Sequence, residues 1–246
     1  MTEQIALVTG ASSGLGAQFS RVLAANGYTV IAAARREDRL TALCKEIIAA
    51  GGKAHPLQMD VTDIAGIPAT LDKAEAMAGP ITCLINNAGI GTEQRATDVT
   101  PDDFDHIMTV NLKAPFFLAT EMGRRWIGRK QEGRIVNVSS LSVARAIPGL
   151  TSYAMTKAAI SRMTQMLARE WINMGINVNA VAPGYINTEI NEAAFETDKG
   201  KQMTAMMPRR RIGDPSDLDQ TILYLSDPTQ RFLTGQVIYV DDGQGL

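Results

Sequence analysis

What most constrains this chain is a regular alternation: strand-length apolar runs recur along it, each separated from the next by a segment with helical periodicity. Residues 5–9, 29–33, 54–58, 82–86, 134–138, 177–181 and 237–240 read as seven strands. Between them, residues 15–26, 39–50, 62–78, 102–129, 153–174 and 216–226 read as helices. Such alternation implies a parallel sheet with right-handed crossovers and helices on both faces. The expected fold class is therefore α/β, a Rossmann-like, doubly wound, seven-stranded parallel sheet.

At 246 residues without an internal repeat or a linker, the chain is expected to form one domain over 1–246. Thr100-Pro101-Asp102-Asp103 and Asp214-Pro215 supply helix starts: a capping side chain, a proline at the first position and acids in the first turn. The longest irregular stretch, about 185–213, carries a short helix near 187–195. It leaves the C-terminal edge of the sixth strand, where open α/β sheets place their ligand crevice, and is a candidate substrate lid.

A formal net charge of -2 gives no field that would attract nucleic acid or anionic lipid, so a small molecule is the expected partner. Two cysteines, Cys44 and Cys83, are neither a disulfide framework nor a zinc site. The first strand begins too near Met1 to leave room for a leader, and no run has membrane-spanning length. A cytoplasmic protein is expected.

Thr9 to Gly16, sequence TGASSGLG, follows a strand and opens a helix, the context in which glycines let backbone N–H groups approach a pyrophosphate at the helix's positive end. The second strand ends at Ala34, followed by Arg35 and Arg36. An acid there would favour the free 2′-hydroxyl of NAD, so its absence beside a guanidinium favours NADP(H) over NAD(H). Glu37 and Asp38 stand close enough to neutralise these arginines instead.

Tyr153 and Lys157 are four residues apart, so on a helix their side chains share one face. Ser140 lies thirteen residues upstream. Preceding these are the glycine-rich turn, Asn86-Asn87-Ala88-Gly89 and Asn111; Pro183-Gly184 follows them. With this ordered set the chain resembles the short-chain dehydrogenase/reductase family in its single-domain form, closest in flavour to carbonyl and 3-oxoacyl reductases. The spacing within the glycine-rich turn is that family's own pattern.

The resemblance implies an oxidoreductase that interconverts a ketone and a secondary alcohol by direct hydride transfer, with Tyr153 as general acid/base. An NAD-dependent secondary alcohol dehydrogenase and a 3-oxoacyl-thioester reductase are the alternatives. Ser140 would hold the substrate oxygen, with Ser139 as the competing choice. Lys157 would bind the nicotinamide ribose and lower the phenol's pKa, and Asn111 would hold a water in a proton relay. Activity near neutrality asks for a phenol shift of about three units, roughly 4 kcal/mol. Cofactor contacts carried over are Gly10, Ser12, Ser13, Gly14, Leu15, Gly16, Arg35 at the 2′-phosphate, Asp60 and Val61 at the adenine, and Asn87, Ala88 and Gly89 at its ribose. Tyr153, Lys157, Pro183, Gly184, Ile186 and Thr188 complete the set near the nicotinamide.

The resemblance also implies a homo-oligomer, tetramer or dimer, paired through the two long helices. Asp102, Asp103, Asp105 and His106 are explained by capping, and no metal is expected. Arg209 to Arg211, and Arg124, Arg125, Arg129 and Lys130, read as solvated runs; the second group could instead dock an acidic carrier protein. Leu141, Ser142, Ile147, Tyr185 and Met203, Met206 and Met207 are candidate pocket residues by position.

Overall fold

Successive residues of the first strand face opposite cores, which fixes where the helices must lie. In the computed structural model, which describes residues 3–91, 93–189 and 191–246, β1 (Ile5–Thr9) turns Ala6 and Val8 into one apolar cluster and Ile5 and Leu7 into the other. The first cluster is covered by α1 (Gly14–Ala25) and α2 (Glu37–Ala49) through Phe19, Leu23, Leu40 and Ile47. The strands β2 (Thr29–Ala34), β3 (Lys53–Gln58), β4 (Cys83–Asn86), β5 (Gly133–Val138), β6 (Ile176–Pro183) and β7 (Val237–Val240) join β1 in one parallel sheet. Its order is β3-β2-β1-β4-β5-β6-β7, so the winding reverses between β1 and β4. Pro56, which has no N–H to give the ladder, lies on the edge strand β3.

The second face is covered by α3 (Ile67–Ala78), α5 (Ala114–Arg129) and α6 (Thr151–Trp171). Trp126 is fully buried here, its indole N–H donating to the Ile81 carbonyl at 2.7 Å. Helix α3 starts later than its periodicity predicts. Asp60 takes the N–H and hydroxyl of Thr62, and Asp63 takes the N–H of Gly66, so both carboxylates hold the chain in turns first.

The long helix predicted over 102–129 is divided. Helix α4 (Pro101–Met108) opens with a reciprocal capping box between Thr100 and Asp103, then gives way to a π turn at Thr109–Lys113 before α5. Pro115 has no N–H for the Asn111 carbonyl one α-helical turn back, which accounts for the interruption. Beyond β6 the chain forms two short helices, α7 (Glu192–Glu196) and α8 (Asp198–Ala205). The short helix predicted near 187–195 spans Ile190, which lies outside the described residues. A 3-10 turn at Pro215–Leu218 precedes α9 (Asp219–Ser226), which packs Ile222 and Leu225 into the first core. Among the described residues, no helix is long and apolar enough to cross a membrane.

The basic run on α5 is neutralised within the fold. Arg125 pairs with Asp72 at 2.8 Å, Glu75 at 2.9 Å and Glu121 at 3.0 Å, while Arg129 pairs with Glu75 and Arg124 with Glu121.

Candidate active site

Because every strand runs the same way, the loops leaving their C-terminal ends gather along one edge, where they line a cleft of about 940 Å³. Its floor at the switch between β1 and β4 is the glycine-rich turn. Gly10 has φ of +68°, and a Cβ there would lie 2.9 Å from the Cα of Ala88; a Cβ on Gly16 would lie 2.6 Å from the Asn87 amide. The turn is therefore drawn tightly against β4. Asn87 donates to the Thr9 carbonyl at 2.9 Å, and the Asn87 and Ala88 N–H groups both donate to the Thr9 hydroxyl at 3.1 Å. At the start of α1 the Ser13 side chain makes no cap bond and the first turn holds no acid, so nothing on the helix offsets its positive end. This cradle fits a dinucleotide pyrophosphate.

The adenosine end is framed by Arg35, Arg36, Asp60 and Val61. Sequence reasoning singled out Arg35, but it is Arg36 whose guanidinium reaches the glycine-rich turn, donating to Ser12 at 2.9 Å and Ser13 at 2.8 Å. Neither Glu37 nor Asp38 is paired with it. The Asp60 carboxyl is held below its usual range, first by its bonds from Thr62 and further by the charge of Arg35. Thr188 lies beside Gly14, 3.5 Å from where its Cβ would be, and donates its hydroxyl to Asn191. Ile186 is buried and bridges to Gly213, closing the stem of the 187–212 loop.

The opposite end gathers Ser140, Tyr153 and Lys157. Ser140 follows β5; its hydroxyl accepts the Ser142 N–H at 3.1 Å and lies close enough to the Tyr153 phenol to pull its pKa down. Ser139 is turned away, its hydroxyl 2.7 Å from Ser161 and 3.2 Å from the Lys157 carbonyl. The Lys157 ammonium lies 5.6 Å from the centroid of the Tyr153 ring and donates to the Val138 carbonyl at 2.9 Å. Gly89 lies alongside: a Cβ there would stand 3.5 Å from Lys157 Nζ, an ordinary contact. Asn111 is fully buried in the π turn, where it accepts the Ile90 N–H and donates to the Ile90 carbonyl, both at 2.8 Å, and donates to Thr156 at 3.3 Å. Its side chain therefore braces the Gly89–Ile90 segment beside Lys157.

The expected lowering of the phenol pKa does not arise in the chain alone. Burial pushes Tyr153 up, against a smaller pull from Ser140, and burial pushes Lys157 down to about 8. Desolvation is the leading cause of both shifts.

One residue here escaped sequence reasoning. Gln244, in the C-terminal tail, is buried; its side-chain oxygen accepts the Tyr185 N–H at 2.7 Å, and its carbonyl accepts from Arg145 at 2.8 Å. The tail thus ties the loop after Ser140 to the loop after Pro183. No local pattern marks it, because its partners lie roughly 60 and 100 residues away. Gln244→Leu leaves the Tyr185 N–H without a partner and is expected to cost about 1 to 3 kcal/mol. A urea unfolding midpoint unchanged from the parent protein would show that the tail carries no such load.

Residues 4–199 match the family model described as short chain dehydrogenase, and the chain belongs to the short-chain dehydrogenase/reductase family. Members of this family are oxidoreductases of CH–OH and C=O groups, and so is this protein. It is 36% identical to the 3-oxoacyl-[acyl-carrier-protein] reductase FabG of Thermotoga maritima over 240 residues, covering 98% of this chain and 97% of that one. It is 32% identical to the 2-dehydro-3-deoxy-D-gluconate 5-dehydrogenase of Dickeya dadantii, covering 98% and 94%. Among solved structures, a gluconate 5-dehydrogenase from Burkholderia cenocepacia in complex with NADP and tartrate superposes with a TM-score of 0.93 at 31% identity, covering 99% and 96%.

Proposed function

We propose that the protein is an NADP(H)-dependent oxidoreductase that interconverts a ketone and a secondary alcohol, with Tyr153 as general acid/base. The observation that carries this reading is the gathering of three groups at one end of the cleft: Ser140, close enough to pull on the Tyr153 phenol, and the buried Lys157 ammonium 5.6 Å from the centroid of the Tyr153 ring. The nicotinamide, when bound, supplies or accepts the hydride. Ser140 donates to the substrate oxygen as negative charge develops there, and Tyr153 delivers its phenolic proton to that oxygen. Lys157, Tyr153, Pro183, Gly184, Ile186 and Thr188 hold the nicotinamide half of the cofactor, with Asn111 joining the proton relay behind Lys157. With Lys157 bonded to a carbonyl and Tyr153 raised by burial, the charge that favours phenolate is completed only in the loaded site.

The preference for NADP(H) is supported by Arg36 on Ser12 and Ser13, by Arg35 beside them, and by an apolar Ala34 where an acid would repel a 2′-phosphate. Arg36→Leu is expected to lower kcat/KM with NADPH about ten- to a hundredfold, leaving the NADH value nearly unchanged. Arg35→Leu, measured beside it, apportions the site between the two guanidinium groups. Initial rates of the parent protein with both cofactors test the reading itself: equal or faster turnover with NADH would turn it into an NAD-dependent secondary alcohol dehydrogenase. Likeness to the Thermotoga maritima FabG favours a 3-oxoacyl-thioester reductase as the second reading. A cytoplasmic homo-oligomer, tetramer or dimer, belongs to the same proposal. Exposed apolar side chains on α5 and α6 (Phe116, Phe117, Met155, Met166) and beside β7 (Phe232, Leu246) support association.

A further inference from the structure

The cleft is divided electrostatically. Apart from Lys157, its charged wall residues among those described belong to the adenosine end: Arg35, Arg36 and Arg39 beyond β2, Asp60 beyond β3, Glu189 paired with Arg39, and His106, whose charge acts on Asp60. Around Ser140 and Tyr153 the wall is instead Ile90, Leu141, Ile147, Leu150 and Tyr185. Tyr185 is further backed by an edge-to-face contact with Phe195, ring centroids 6.2 Å apart.

The charges nearby oppose one another. At Tyr185 the Arg145 charge pulls the phenol pKa down and Glu93 pushes it up; Arg145 donates to the Gln244 carbonyl at 2.8 Å and Glu93 pairs with Lys199 at 3.1 Å. Lys157 points its ammonium to the Val138 carbonyl. A carboxylate carried by the substrate would meet this apolar wall with Arg145 opposed by Glu93 and Lys157 turned to the Val138 carbonyl, and a row of hydroxyls would meet hydrocarbon, so either would lose hydration with little replacement. The arginines on α5 that could receive an acidic carrier are held by Asp72, Glu75 and Glu121.

From this wall we infer that the substrate is a free, uncharged ketone with apolar groups on the carbonyl, and that the site rejects keto acids and polyhydroxylated acids. The inference rests on the oxidoreductase reading above and narrows it. A matched pair isolates the charge: ethyl 3-oxobutanoate and 3-oxobutanoate present the same ketone to the same cofactor, and differ in a neutral ester against a carboxylate. With NADPH, kcat/KM for the ester is expected to exceed that for the acid by on the order of a hundredfold or more. Equal rates, or faster reduction of the acid or of a polyhydroxylated keto acid, would overturn the substrate class while leaving the oxidoreductase reading intact. Reduction of none of the three, with NADPH binding shown by its fluorescence, would remove both.

Ile147→Lys supplies a second arm. An ammonium on this wall is expected to shift the acid-to-ester ratio toward the acid at least about tenfold. A ratio that does not move would take Ile147 out of the substrate wall and overturn the division of the cleft. A carrier-bound 3-oxoacyl thioester reduced far faster than the free ethyl ester would likewise overturn the claim that the substrate is free.

Discussion

Tyr153→Phe is expected to lower kcat about a thousandfold while leaving the affinity for NADPH within a few-fold of the parent value. The substitution removes one oxygen from a buried ring, so it takes away the proton donor and little of the packing. It leaves Ser140 in place, since that hydroxyl keeps the Ser142 N–H and can still face a substrate oxygen. Stopped-flow hydride transfer and an NADPH fluorescence titration read the two effects separately. Turnover at the parent rate would remove Tyr153 from the proton-transfer step and with it the mechanism proposed above.

Lys157→Met is expected to do two opposite things: reduce kcat/KM about a hundred- to a thousandfold, and stabilise the cofactor-free protein. Burial lowers Lys157 from 10.5 to about 8, so between these values the unfolded chain holds a proton that the folded chain lacks. Stability of the parent protein therefore rises with pH across that window and lies at its lower level below about 8. The shift corresponds to roughly 3 kcal/mol below the window, and losing the bond to the Val138 carbonyl returns about 1 of it. A net gain of about 2 kcal/mol at pH 7 should raise the unfolding temperature by several degrees. Methionine is uncharged, so the rise in stability between pH 8 and 10.5 should be absent from the variant. A variant less stable than the parent at pH 7 would show that the ammonium is held by more than the Val138 carbonyl.

Most of the fold was legible because its signals are local. A strand buried on both faces is apolar nearly throughout, as in β1 and β2 apart from Thr9 and Thr29, and strands alternating with helix-length segments point to a parallel sheet. The order Gly10 to Gly16, Asn87 to Gly89, Ser140, Pro183-Gly184 was equally legible, since each group stands at or just past the C-terminal end of a strand and a parallel sheet brings such positions to one edge.

What the sequence could not show depends on partners distant in the chain or on burial itself. The late start of α3 turns on whether the Asp60 and Asp63 carboxylates cap a helix or close a turn. The π turn had one local sign, Pro115 four residues after Asn111, but only the reciprocal bonds with Ile90 give Asn111 its place. Arg35 and Arg36 are equivalent as letters, and it is the path of the chain out of β2 that turns the second toward Ser12 and Ser13. The sequence by itself determined the sheet, its direction and the edge where chemistry gathers, because periodicity and turn chemistry act between near neighbours. Tertiary structure alone decided that Gln244 ties two active-site loops, that the α5 arginines are neutralised, and that Tyr153 and Lys157 shift against their charged forms, because long-range contacts and desolvation exist only once the chain has packed.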